Sequence, residues 1–184
     1  MKNEKIINLC KRCGHITIFY GNEGVQWITD GAAIYPLFGC PVFDEPSFRA
    51  TYDITDENKQ ISFKEMPKCV DFSNETENET EVERGGQIFG LVPLMTSHGV
   101  EFIQSKYLTP FADSDNNMIR VYERTNAAGM TYFAIKDGFM LVGLIMPYDC
   151  INEAFVKRLK DLAEQCEITL NHKKNEAEKR DAGK

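Results

Sequence analysis

The sequence predicts an α+β fold: a mostly antiparallel sheet built from hairpins, with a C-terminal amphipathic helix packed on it. Three observations predict it. Short apolar runs rich in β-branched and aromatic residues recur between residues 15 and 145, with turn residues between them. Asp137-Gly138 stands between two such runs, a strong short-range hairpin signal. From Ile151 to Leu170 apolar residues then return at steps of three and four, which is one face of a helix.

Taken in order, Lys5–Cys10 is a short apolar run. HITIFY (15–20) alternates, GNEG (21–24) tolerates positive φ, and VQWI follows, so 15–28 reads as a hairpin. AAIYPL is expected to return as a short edge strand ended by Pro36. Trp27 is expected in the hairpin core, and Tyr35 and Phe38 at the surface. FGCPVFDEP is loop-like, and a short helix is predicted over Ser47–Tyr52 with Ser47 as its N-cap. ISFKEM (61–66) alternates like a strand, and Pro67 closes it.

QIFGLVPLM and VEFIQSKYL flank the turn Ser97-His98-Gly99, and MIRVYERT (118–125) is a further strand. MTYFAI and FMLVGLIM flank Lys136-Asp137-Gly138. The second of these is apolar at nearly every position, as a central strand buried on both faces must be. Asp149 or Asn152 is expected to cap the last helix, which is predicted to lie across the sheet. The organisation predicted is one domain, 1–171, with an acidic loop about 71–86, and a polar tail, 172–184, expected to fray.

Charge is the most uneven property of the chain. Its net charge is −7, yet residues 41–83 alone hold twelve acids against four bases, a net −8. DFSNETENETEVE (71–83) has six acids and no base: Asp71, Glu75, Glu77, Glu79, Glu81 and Glu83. Direct nucleic-acid binding needs a clustered basic surface, and only the short tail after His172 is basic, so direct sequence-specific nucleic-acid binding is not expected. A basic protein surface is the better electrostatic match, with Asp71 and the five glutamates as the expected contacts. The plainer reading of the same stretch is a solvated connection. No apolar run approaches the roughly 18–20 residues of a membrane helix, and no signal peptide is read, so a cytoplasmic protein with reduced cysteines is expected.

Cys10-Lys-Arg-Cys13-Gly14-His15 is the sharpest local motif. Its spacing lets two thiolates face one ion, as in one knuckle of a zinc ribbon. Further ligands would have to come from His15, Cys40, Cys69 or His98, since there is no second CxxC. The alternatives are a tight turn with core thiols, or a thioredoxin-like pair, which is disfavoured because strand rather than helix sequence follows. A cysteine hydrolase would need a thiol beside His15, His98 or His172 with a third orienting group, and no spacing brings them together. There is no GxSxG, P-loop or GxGxxG. A catalytic set is not expected.

The stretches LCKRCG, QWITDGAAIYPL, VYERT and GLIMPYD resemble small proteins carried by prophages and mobile elements of gut Firmicutes, and within that set the anti-CRISPR inhibitors of the type II CRISPR effector nuclease. The resemblance runs from Leu9 to about Leu170 and brings no catalytic or ligand motif, though the Cys10–Cys13 knuckle looks like a family feature. It implies a non-enzymatic inhibitor that contacts the nuclease–guide RNA complex inside a bacterial host cell. The runner-up expectation is a zinc-knuckle accessory domain of phage or host that binds another protein, and third is the cysteine hydrolase.

Overall fold

The hairpin predicted at 15–28 forms in a computed structural model, which describes residues 3–112 and 119–182. Strands β1 (His15–Tyr20) and β2 (Gln26–Thr29) run antiparallel with Ile18 opposite Ile28 and Phe19 opposite Trp27. Gly21 closes the turn by donating its N–H to the Val25 carbonyl at 3.0 Å. A Cβ on Gly21 would lie 2.4 Å from that same oxygen, so the turn admits only glycine. Trp27 is buried, as expected.

Helix α1 (Asn3–Cys10) precedes the hairpin and buries Ile6, Ile7, Leu9 and Cys10. Strand β3 (Ala33–Pro36) follows it, but not at an edge: it pairs with β2 on one side and with β11 (Met140–Ile145) on the other. Pro36 is tolerated because it is the last residue of the strand, where a missing donor breaks no ladder. Tyr35 therefore belongs to the core, not the surface. It is fully buried, with its hydroxyl donating to the Tyr107 carbonyl at 2.8 Å, and Phe38 is half-buried.

Helix α2 spans Glu45–Thr51, and its N-cap is Asp44 rather than Ser47. The Asp44 carboxylate accepts from the Ser47 N–H at 2.9 Å, and the Ser47 hydroxyl accepts from the Asp44 N–H at 3.0 Å. Ser47 thus completes a capping box from the third helical position, with Pro46 in the first turn, where no N–H is needed. Strand β4 (Gln60–Glu65) then pairs with β1 in parallel, the one parallel pairing among the described strands.

Strands β5 (Glu79–Glu81) and β6 (Glu83–Arg84) come from the acidic stretch itself, which is therefore not simply a loop. β7 (Leu91–Thr96) and β8 (Gly99–Gln104) form the hairpin expected around Ser97-His98-Gly99. The chain from Ser105 to Phe111 leaves the predicted strand as a 3-10 helix. β9 (Ile119–Thr125), β10 (Thr131–Asp137) and β11 form a meander, Met118 of the expected strand lying outside the described residues.

Two sheets result. The larger has the order β4-β1-β2-β3-β11-β10-β9-β5, and the smaller β6-β7-β8. β11 is central, as its unbroken apolar sequence requires. One face of the large sheet carries Ile16, Ile18, Ile28, Tyr35, Phe133 and Ile135 and meets α1, α2 and the small sheet through Ile6, Phe48 and Leu94. The opposite face carries Trp27, Ile34, Tyr132, Ala134 and Leu144, and the chain from Met66 to Phe72 covers it through Val70 and Phe72. The Trp27 and Phe72 rings meet edge to face at 4.9 Å.

These elements make up the unit Met1–Tyr148; Asp149–Lys184 is a second unit, where the sequence predicts one domain to residue 171. In the second unit α3 (Glu153–Ala182) is a 30-residue helix about 45 Å long. Asn152 caps it by accepting from the Phe155 N–H at 3.0 Å. The helix continues past His172 over the polar stretch expected to fray; Lys, Glu, Ala and Arg there all have high helix propensity. Gly183 and Lys184 of that tail lie outside the described residues.

The Gly21 turn yields one prediction. Gly21→Ala overlaps the Val25 carbonyl and lowers unfolding free energy by roughly 1–3 kcal/mol in urea denaturation. Wild-type stability of this variant would refute the close approach.

Candidate partner-binding site

The acidic stretch is built onto the edge of the large sheet. β5 pairs antiparallel with β9, Glu79 opposite Arg124 and Glu81 opposite Tyr122. The pleat puts Glu79 and Glu81 on one face with Arg120, Tyr122 and Arg124 of β9, and with Lys136 of β10 opposite Arg120. The chain then crosses from one sheet to the other at Val82, whose N–H reaches the Val121 carbonyl at 2.9 Å.

Arg124 holds this arrangement. Only 1% exposed, its guanidinium gives all five N–H groups to the acidic stretch. Nε and Nη2 bind the Glu79 carboxylate at 2.9 and 2.6 Å. Nη1 binds the Asp71 and Ser73 carbonyls, each at 3.0 Å, and Nη2 also reaches the Asn74 carbonyl at 3.3 Å. Lys136, also buried, binds the other Glu79 oxygen and lies 4.5 Å over the Tyr122 ring. Burial pushes the Glu79 carboxyl up, but the hydrogen bonds and charges of Lys136 and Arg124 outweigh it and hold it below the ordinary carboxylate value. Two neutral contacts tighten the stretch: the Tyr132 hydroxyl accepts from the Asp71 N–H at 2.9 Å, and Asn74 Oδ1 from the Leu141 N–H at 2.8 Å.

The six predicted acids therefore divide. Glu79 is spent inside the fold. Glu81 pairs with Arg120 at 2.9 Å, both half exposed. Asp71 turns back on the Ser73 hydroxyl at 2.6 Å; burial raises its carboxyl, and the Ser73 bonds and Arg124 bring it below the ordinary value. Glu75, Glu77 and Glu83 are exposed, and their carboxylates have no partner among the described residues. Of the three, Glu75 lines a cleft of about 550 Å³ together with Glu79, Arg120, Tyr122, Lys136 and Phe139.

The cysteine knuckle has a different setting. Cys10 ends α1 and is wholly buried, and the Cys13 N–H closes the turn on the Cys10 carbonyl at 3.0 Å. The Cys13 thiol points to Asp30 Oδ2 at 3.5 Å. Asp30 also accepts from the Tyr107 hydroxyl at 2.9 Å and from the Ala32 and Ala33 N–H groups at 3.0 and 3.2 Å. Burial pushes both thiols up, and the Asp30 charge adds to it, so the site favours protonated sulfur over the thiolate a metal or nucleophilic site uses. Cys40 instead contacts Asn3 and Tyr52 at 3.0 and 3.5 Å, and His15 bonds Thr17 at 2.9 Å. Among the described residues no group of three or more His, Cys, Asp or Glu is placed to hold a metal ion.

Ser97, His98 and Glu123 form the other polar cluster. The Ser97 hydroxyl lies 2.6 Å from His98 Nδ1 and 3.3 Å from the buried Glu123 carboxylate, which also accepts from the Ser97 N–H at 3.2 Å. In a hydrolytic triad the imidazole stands between hydroxyl and carboxylate; here the hydroxyl stands between the other two. The cluster pins the β7–β8 turn to β9.

Arg120, Arg124 and Lys136 are the residues that sequence reasoning missed. For Arg124 and Lys136, each next to last in its strand and buried, the physical demand is clear, since a buried base needs an acid; Arg120 is half exposed and carries no such demand. Glu79→Gln should destabilise the protein by roughly 3 kcal/mol, the low end for breaking a buried pair, since Glu79 keeps 13% exposure. Glu81→Gln should leave the urea midpoint near wild type. The Glu79 contribution is complete above the ordinary carboxylate range, because the native value is lowered, and is lost as pH falls through the native value. Acid unfolding followed by circular dichroism should show this limb in wild type and lose it in Glu79→Gln; superimposable acid limbs would refute the clamp.

No family model, curated protein or solved structure matches the chain.

Proposed function

We propose that this chain is a non-enzymatic acidic binding protein whose partner is a cationic protein surface, and that the partner is the nucleic-acid channel of a type II CRISPR effector nuclease loaded with guide RNA. One observation carries the reading. Glu75, Glu77 and Glu83 stand exposed without cations of their own, the first two on the stretch that Arg124 and Lys136 tie down and the third on β6, paired with β7. A carboxylate in a fixed place meets a Lys or Arg without the ordering cost of a floppy loop. The identity of the partner is supported by the sequence resemblance alone, and its chemistry is compatible: that nuclease holds DNA and heteroduplex in a positively charged channel and reads the adjacent motif with arginines. Such an inhibitor works in the cytoplasm of the bacterial host.

The test mixes the full chain with guide-loaded nuclease and measures co-migration on gel filtration and DNA cleavage. Binding and reduced cleavage are expected, both weakening as salt rises through the range where the screening length falls to about 8 Å. Glu75→Gln, Glu77→Gln and Glu83→Gln together should weaken binding several-fold and flatten its salt dependence, with the fold intact because none of the three is paired. No co-migration and undiminished cleavage in dilute buffer would overturn the reading.

A further inference from the structure

We propose that α3 is a self-association surface: two copies of the chain pair through the apolar stripe of this helix, antiparallel, with the crossing near Ala163. This pairing is independent of the cationic partner proposed above and uses a different part of the chain.

The helix carries apolar surface that remains open. Phe155 is buried and Leu159 half-buried, but every residue from Asp161 to Arg180 is exposed. At 3.6 residues per turn, Leu159, Leu162, Ala163, Cys166 and Leu170 fall on one face, with Val156 at its rim. Leu162 is 41% exposed and Leu170 51%. Ile168, on another side of the helix, is a single exposed apolar residue of the ordinary kind. The face is different, because its members follow one another as a continuous seam at the a, d and e positions of a heptad. Helices in water owe most of their stability to what packs on such a seam.

The charges beside the seam say what covers it. Glu153, Lys160, Glu167 and Lys174 recur every seven residues, so they form one row along one flank, and their signs alternate. None of the four has an ion-pair partner among the described residues. A partner of one charge sign answers two of them and repels the other two. Laid antiparallel against a second copy, the row answers itself. Lys160 then faces Glu167 of the second copy and Glu153 faces its Lys174, and the two-fold axis makes each pair twice. The same register sets Leu162 against Cys166 and Val156 against Leu170 of the second copy. Ala163 meets its own equivalent, where a small side chain lets the helices come close. A parallel pair brings the row instead against the opposite flank, Arg158, Gln165 and His172, which does not alternate in sign.

Sedimentation velocity of the full chain, from micromolar to submillimolar concentration, should show a monomer–dimer equilibrium. Lys160→Glu and Glu167→Lys, each alone, set like charges opposite each other at two places in the dimer and should weaken it several-fold. The two changes together on one chain restore opposite signs and should return dimerisation close to the wild-type level. Leu162→Asp, at an exposed position, should leave only monomer. Circular dichroism of each variant checks that the helix and the fold persist. A wild-type chain that stays monomeric throughout the range overturns the inference. So does a dimer unmoved by Leu162→Asp, since its contact then lies elsewhere. A double exchange that dimerises no better than the single ones overturns the antiparallel pairing.

Discussion

A buried guanidinium organises this molecule. Arg124 is removed from water near the end of β9, where an uncompensated charge is prohibitive. The fold answers with one carboxylate and three backbone carbonyls, all drawn from residues 71–79. Those residues have little apolar content with which to bury themselves. What orders them is the demand of the cation beneath, together with Lys136, which makes the same demand of Glu79 from the next strand. The acidic stretch is a lid drawn onto two buried bases, and its path fixes where the remaining carboxylates stand.

The second constraint is that the large sheet buries both faces. The face toward α1 and α2 is covered by helices and the small sheet. The other is covered over its middle by Met66–Phe72, a stretch with no regular structure. Toward β9 and β5 the apolar cover gives way to Tyr122 and the ion pairs. The cleft lies at that transition. On the helical side Asp30 plays a smaller version of the same part. It gathers Tyr107, Cys13 and two backbone donors, and keeps the knuckle a structural turn of protonated thiols.

Charge and fold then meet in one region. The acids that the fold consumes and the acids it leaves free alternate along a few residues, because β5 points Glu79 inward while the flanking turns leave Glu75 and Glu77 outward. A segment with a uniform negative charge in sequence thus becomes a structural anchor with charged shoulders. The proposed partner would meet the shoulders and never the anchor.

The sequence alone determined the local elements. The hairpins at 15–28, 91–104 and 131–145, the central position of the apolar strand at 140–145 and the last helix all follow from periodicity and turn residues, which act over a few neighbours. Tertiary structure decided what depends on partners far along the chain. It paired β4 with β1 in parallel, placed β3 inside the sheet and so buried Tyr35, and moved the α2 cap to Asp44. It also sorted six equivalent-looking acids into one buried, two tied and three free. That sorting was illegible in DFSNETENETEVE because the selector lies some 45 residues away, in Arg124. A carboxylate's role is set by the cation that reaches it, and the reach is a property of the sheet register.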